Sequence, residues 1–236
     1  MKTIIHRAED RGKANYGWLD TKYSFSFSQY YDPDKMGFGL LRVLNDDIVK
    51  EGTGFGTHPH DNMEIITIVL EGELEHKDSM GSGEVIHKDE VQVMSAGSGV
   101  THSEFNPSKN NPVNLFQLWI FPKEQGIEPR YDQKAFPLSE RTDSIKTVAS
   151  GYNEEGSLYI HQNAEVKLGN FSNKRMANYK TKDKSNGVYI LLIDGHIKIN
   201  DEDLYRRDAI GISETDQFSF KVDENTNLLL IEIPMQ

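Results

Sequence analysis

Between Gly52 and Asn106 the chain carries His58 and His60 two residues apart in one extended stretch, and His102 and Glu104 two residues apart in another. Side chains at i and i+2 point to the same face of a strand, so each pair can converge on one point. Three imidazoles and a carboxylate form a donor set for one divalent first-row ion: Fe, Mn, Co, Ni, Cu or Zn. Four protein ligands leave one or two positions open on an ion that prefers five or six, through which water, dioxygen or substrate can enter. The remaining positive charge favours an anionic enolate or phenolate oxygen. Taken singly, each histidine also fits a Gly-rich loop or a strand end. It is the coincidence of two same-face pairs that points to a metal.

The elements that must position these residues read as strands. Phe25–Phe27, Ile65–Leu70, Val91–Met94, Leu115–Phe121, Tyr189–Ile193, Ile197–Ile199, Phe218–Phe220 and Leu228–Ile233 are short, rich in β-branched or aromatic residues, and bounded by turn formers. Amphipathic helices of three or more turns are absent from the pattern. Many short strands with Gly-rich turns predict an all-β sandwich or barrel.

The pattern also repeats. Ile66-Thr-Ile-Val-Leu-Glu-Gly72 matches Tyr189-Ile-Leu-Leu-Ile-Asp-Gly195, each a buried strand followed by an acidic-Gly hairpin signal. Pro122 to Ser150 is polar and contains Gly126, Pro129 and Pro137, which reads as a connection between two β domains that could dock on one of them. The expected division is residues 1–130 for an N-terminal barrel, 131–150 for a linker and 151–236 for a C-terminal barrel. Aligning Gly72 with Gly195 carries His58, His60 and Glu64 onto Thr181, Asp183 and Gly187. Aligning Asp89 with Asp208 carries His102 and Glu104 onto Lys221 and Asp223. No histidine recurs, so one metal site is expected, in the N-terminal half alone.

With 236 residues the chain can bury a substantial core, and no apolar run is long enough to span a membrane. The N-terminal residues lack a secretory h-region, and a cytoplasmic location is the expectation. The absence of cysteine excludes disulfides, thiolate ligands and a Cys nucleophile. A formal charge of −11 argues against direct nucleic-acid binding, and the small basic cluster Lys180–Lys184 reads as a solvated loop.

The run from Gly52 through His58, His60 and Glu64 to Gly72 resembles the first cupin motif, with one extra residue before the last glycine. Gly99, His102 and Asn106 resemble the second, with Gly97 where a proline is usual. Gly54-Phe-Gly-Thr-His-Pro-His60, Leu70 to Ser79 and Ser95 to Glu104 are similar to the pirin family, and Gln117–Ile120 and Asp208–Ser213 extend the likeness into both halves. The resemblance implies two tandem cupin barrels (a bicupin) with one metal, usually iron(II), at His58, His60, His102 and Glu104. Ordinary cupins use a carboxylate at the place of Glu64; the pirin likeness selects Glu104, leaving Glu64 as a neighbouring structural group.

The resemblance further implies two functional readings. Some bacterial pirins cleave the flavonol quercetin with dioxygen, which makes a small phenolic substrate the expected partner and Glu104 the group that takes the proton of the flavonol 3-hydroxyl. The alternative is a non-enzymatic regulatory or redox-sensing module that acts through a protein partner. Among the other histidines, His76 and His87 are expected at the surface, and His6, His161 and His196 are expected to be structural or exposed. Gln117 and Trp119 share a strand face and read as core or, second, as cavity lining; Phe25 and Phe27 read as core or pocket wall.

Overall fold

The strand Glu64–Glu71, EIITIVLE, is buried without alternation from Glu64 to Val69. Apolar residues on both faces require a strand held between two layers. The computed structural model, which describes residues 1–236, reveals both layers. The strand lies inside a seven-stranded sheet ordered Arg130–Ala135, Glu90–Ser95, Glu64–Glu71, Val113–Ile120, Leu41–Val49, Leu19–Tyr23 and Gly12–Asn15. A four-stranded sheet, ordered Gly54–His60, Val100–Phe105, Glu73–Asp78 and Gly83–His87, completes the first barrel.

The second barrel repeats this plan. Its large sheet runs Lys2–His6, Ala209–Ser213, Asn186–Asp194, Thr226–Pro234, Glu165–Phe171, Ser144–Ser150 and Leu158–Tyr159. Its small sheet runs Arg175–Lys180, Gln217–Val222, Ile197–Ile199 and Glu202–Leu204. The only helical elements are two 3₁₀ turns of three residues, Ala8–Asp10 and Leu138–Glu140. The fold is therefore the tandem all-β bicupin that the sequence predicts.

The two large sheets pack on each other. Ile66, Ile68, Phe116 and Leu118 of one share a continuous buried cluster with Val166, Tyr189, Leu229 and Ile231 of the other. The opposite faces of the same strands line the barrel interiors, and here the halves diverge. The second interior is one apolar cluster of 16 residues, including Val188, Ile190, Leu192, Phe220 and Leu230. The first is split into a cluster around Leu74 and Leu115 and another around Ile65 and Met94. Thr67, between Ile65 and Val69 on one strand, stands opposite Gln117, which stands opposite Asn45. That polar row interrupts the first core and opens room for a site.

Several local expectations change. Phe25–Phe27 is not a strand: the Ser26 backbone N–H donates to Lys35 and its hydroxyl donates to the Asp32 carbonyl, which folds the segment into a loop. Gly72 and Gly195 are not hairpin turns between paired strands, because the strands they join lie in different sheets. They turn the chain from one wall of a barrel to the other, at φ of 83° and 90°. The polar stretch before Ser150 is strand as well as connection: Arg130–Ala135 pairs with Glu90–Ser95 in the first barrel, and Ser144–Ser150 pairs with Glu165–Phe171 in the second. Its polarity fits an edge, where charged side chains guard unpaired backbone. Lys2–His6, at the start of the chain, pairs with Ala209–Ser213 and so completes the second barrel rather than the first.

Candidate metal centre

Strands Gly54–His60 and Val100–Phe105 are antiparallel neighbours, with His58 directly opposite His102 and His60 opposite Val100. The pairing slips between His102 and Glu104, and this bulge re-aims the side chains that follow it. Gly54 permits the close approach, since a Cβ there would lie 2.2 Å from the Glu104 carbonyl oxygen. The rings of His58, His60 and His102 stand 4.5–4.9 Å apart, centre to centre, and their ligand nitrogens lie within 4.8 Å of one another.

The hydrogen-bond partners fix which nitrogens are free. His58 Nδ1 lies 2.8 Å from the Gly56 carbonyl, which can only accept, so neutral His58 keeps a lone pair on Nε2. His76 Nε2 lies 3.1 Å from an Asp78 carboxylate oxygen, and His76 Nδ1 lies 3.4 Å from His102 Nδ1. Asp78 accepts from His76, which accepts from His102, and this leaves a lone pair on His102 Nε2. The two free Nε2 atoms face each other at 3.0 Å. Opposed lone pairs repel, and a cation held between them turns that repulsion into coordination. The spacing also suits two donors each about 2.1 Å from one ion and roughly at right angles.

Burial, reinforced by the neighbouring imidazoles, depresses His102 to about 2 and His60 to about 4. Both are therefore neutral, as ligands must be. The residues present fit a divalent metal.

Glu104 is buried beside them. Its two carboxylate oxygens accept from the Gln117 side-chain amide at 3.1 and 3.0 Å, and the Thr67 hydroxyl lies 3.4 Å away. Burial raises its pKa, and the Gln117 and Thr67 bonds oppose the rise. Its nearest group of donors is not the three metal-facing imidazoles but His76 and His102. Glu104 lines the same cavity as the three histidines, with His102 common to both groups of donors.

That cavity, of about 410 Å³, is bounded by the three histidines, Glu104, Gln117, Asn45 and Asp47, with Trp18, Phe55, Phe27 and Trp119 as aromatic walls. Trp18 meets Phe55 edge to face at 5.0 Å, and Phe27 meets Trp119 at 5.2 Å. The volume lies in the range of sites for small organic ligands. Gln117 and Trp119 line it rather than only packing in the core, and so does Phe27, whereas Phe25 is core. A second cleft, about 420 Å³, runs between the barrels, but its Arg141 and Arg207 are already paired with Asp89 and Asp46.

His76 is not at the surface: it is fully buried, stacked on Tyr131 at 4.7 Å. The strand alternation carries the signal that locates it. Leu74, His76 and Asp78 share the inward face of Glu73–Asp78, and Leu74 is as buried as His76. His87 is exposed, as expected. Glu64 points away from the cavity toward the second barrel, where it accepts from Ser95 Oγ at 2.9 Å and the His161 backbone N–H at 3.0 Å. His161 thereby joins the two halves. His6 binds the Tyr189 hydroxyl at 2.9 Å, and His196 is held between Asp203 and Asp223.

Known proteins share this chain architecture. A family model described as Pirin matches residues 5–120, and one described as Quercetinase C-terminal cupin domain matches residues 147–233. The chain is 41% identical over 230 residues to a quercetin 2,3-dioxygenase of Escherichia coli K12, covering 98% of both chains. It is 38% identical over 223 residues to a pirin-like protein of Caulobacter vibrioides, covering 94% of this chain and 95% of that one. The crystal structure of a bacterial pirin from Escherichia coli in complex with nickel(II) superposes with a TM-score of 0.93 at 40% identity, covering 99% of each chain. With likeness of this extent over both barrels, the chain belongs to the pirin family.

Proposed function

We propose that this pirin is a metal-dependent dioxygenase that opens flavonols such as quercetin, with His58, His60, His102 and Glu104 as the metal ligands. One observation carries the reading: two imidazole lone pairs are held 3.0 Å apart at the wall of an aromatic-lined cavity of about 410 Å³. A closed structural or sensing site would have no need of such a cavity. The names of the relatives support the same chemistry.

When bound, a divalent ion supplies Lewis acidity toward a flavonol oxygen and an exchangeable position for dioxygen. The donor set accepts iron(II), nickel(II) and several other first-row ions. Trp18, Phe55, Phe27 and Trp119 bound a slot that suits a planar ring system. Glu104, raised by burial, is suited to take the 3-hydroxyl proton and hold it. Gln117 orients that carboxylate, and the Thr67 hydroxyl donates to Gln117 Oε1 at 2.9 Å, which fixes the amide. The overall reaction balances without an external reductant. Dioxygen places one oxygen on each of two ring carbons, the bonds to the carbon between them break, and that carbon leaves as carbon monoxide to give a phenolic ester.

Anaerobic titration of quercetin into metal-loaded protein tests the reading through the flavonol absorption band. A red shift that saturates at one flavonol per chain and vanishes in His102→Ala supports it. No shift with a filled metal site would remove flavonols as ligands of this centre.

A further inference from the structure

The cavity carries two further polar side chains that the metal chemistry does not use. Asn45 and Asp47 lie two apart on Leu41–Val49 and so face the same way, into the cavity. Each is 4% exposed. Asn45 Oδ1 and Asp47 Oδ1 are buried with no hydrogen-bond partner, as is the indole nitrogen of Trp119 on the same wall. Thr21 stands opposite Asp47 in the sheet, and its hydroxyl lowers the Asp47 pKa as a neighbouring donor without meeting Asp47 Oδ1 at hydrogen-bond distance. Buried acceptors are nearly always satisfied, so unmet acceptors around one cavity ask for a donor from outside the chain.

The second barrel provides an internal comparison. Alignment of Gly72 with Gly195 makes Thr67 equivalent to Ile190, and the ladder then makes Asn45 equivalent to Lys167 and Asp47 equivalent to Gly169. Lys167 is fully engaged, by Thr147 at 2.8 Å and Glu165 at 2.9 Å, and Gly169 has no polar side chain to satisfy. At these two equivalent positions of the second barrel no acceptor is left unmet.

We propose that Asn45 and Asp47 determine specificity by accepting a hydroxyl of a planar aromatic ligand other than its metal-bound oxygen. The proposal rests on the flavonol reading and adds a requirement: the preferred ligand is a polyhydroxylated ring system, not merely a 3-hydroxyflavone. The edge-to-face pairs Trp18–Phe55 and Phe27–Trp119 supply apolar walls of the same cavity. Burial also pushes the Asp47 carboxyl up to about 7, so near neutrality it can meet a hydroxyl as acceptor or as donor. A site built around a ligand hydroxyl discriminates against the analogue that lacks it, because its own polar groups are then stranded.

The test uses zinc-loaded protein kept free of dioxygen, so that no turnover occurs, titrated with quercetin and with 3-hydroxyflavone, which lacks the remaining hydroxyls. Wild type is expected to bind quercetin at least about tenfold more tightly. Asn45→Ala and Asp47→Ala are each expected to lose most of that preference while binding 3-hydroxyflavone within about twofold of wild type; using both keeps the test valid if one variant folds poorly. Equal affinities in wild type, or a preference unchanged in both variants, would overturn the proposal and leave the flavonol reading intact. Binding of neither compound by the wild type would overturn both.

Discussion

His76 Nδ1 lies 3.4 Å from His102 Nδ1, on the side of the His102 ring turned away from His58. Asp78 completes the line behind it at 3.1 Å. A ligating imidazole whose other nitrogen is held in this way has its tautomer and orientation set in advance. His76→Ala is expected to weaken metal binding by about 10- to 100-fold, read by competition with a chromophoric chelator. His87→Ala, on the exposed neighbouring strand, should leave affinity unchanged. Equal affinity in wild type and His76→Ala would show that the line does not act on the metal.

Glu64 and Glu104 make opposite predictions. Glu64 secures Ser95 and the His161 backbone across the barrel interface, so Glu64→Ala should cost about 1–3 kcal/mol of stability and leave one metal per chain. Glu104→Ala should reduce metal retention. Loss of metal in Glu64→Ala, at a temperature where the variant is folded, would reassign the carboxylate ligand.

Asp47 links stability to pH. Its pKa is 3.8 in the unfolded chain and about 7 when folded, raised chiefly by burial. Between those values the folded state holds a proton that the unfolded state has released, so stability falls as pH rises through the window. Above pH 7 both states are ionised and the cost is complete, on the order of 4 kcal/mol. Asp47→Asn removes it. The variant should melt above wild type at pH 8, with the difference shrinking toward pH 4. A constant difference across that range would mean Asp47 does not titrate in this way.

Gly54 sits where any Cβ would strike the Glu104 carbonyl and the Phe105 backbone. Gly54→Ala must push apart the two strands that carry the histidines. The expected result is a loss of metal affinity of about tenfold or more with the far-UV spectrum preserved, since the second barrel does not contact this edge.

The site was legible in sequence where strand geometry acts alone. His58 and His60 share a face by strand alternation, His102 and Glu104 both stay buried across the bulge between them, and the same alternation applied to Leu74, His76 and Asp78 finds a third inward set. It is obscured there by Glu75 and Lys77, whose charges make the segment read as surface. Asn45-Asp46-Asp47 has the composition of a turn, yet it lies mid-strand. Asp46 points outward to pair with Arg207 at 2.8 Å and Arg11 at 3.6 Å, while its neighbours point into the cavity. Neither arginine is near it in sequence, so local composition could not predict the strand. The exchange of Lys2–His6 into the second barrel is likewise a long-range pairing that no local pattern marks.

Dioxygen consumption with quercetin, by protein loaded in turn with Fe, Mn, Co, Ni and Cu, decides whether this pirin is a flavonol dioxygenase. Uptake of one dioxygen per flavonol, dependent on metal and abolished in His102→Ala, is the predicted result. A stoichiometrically filled site that consumes no dioxygen with any of these ions would contradict the account.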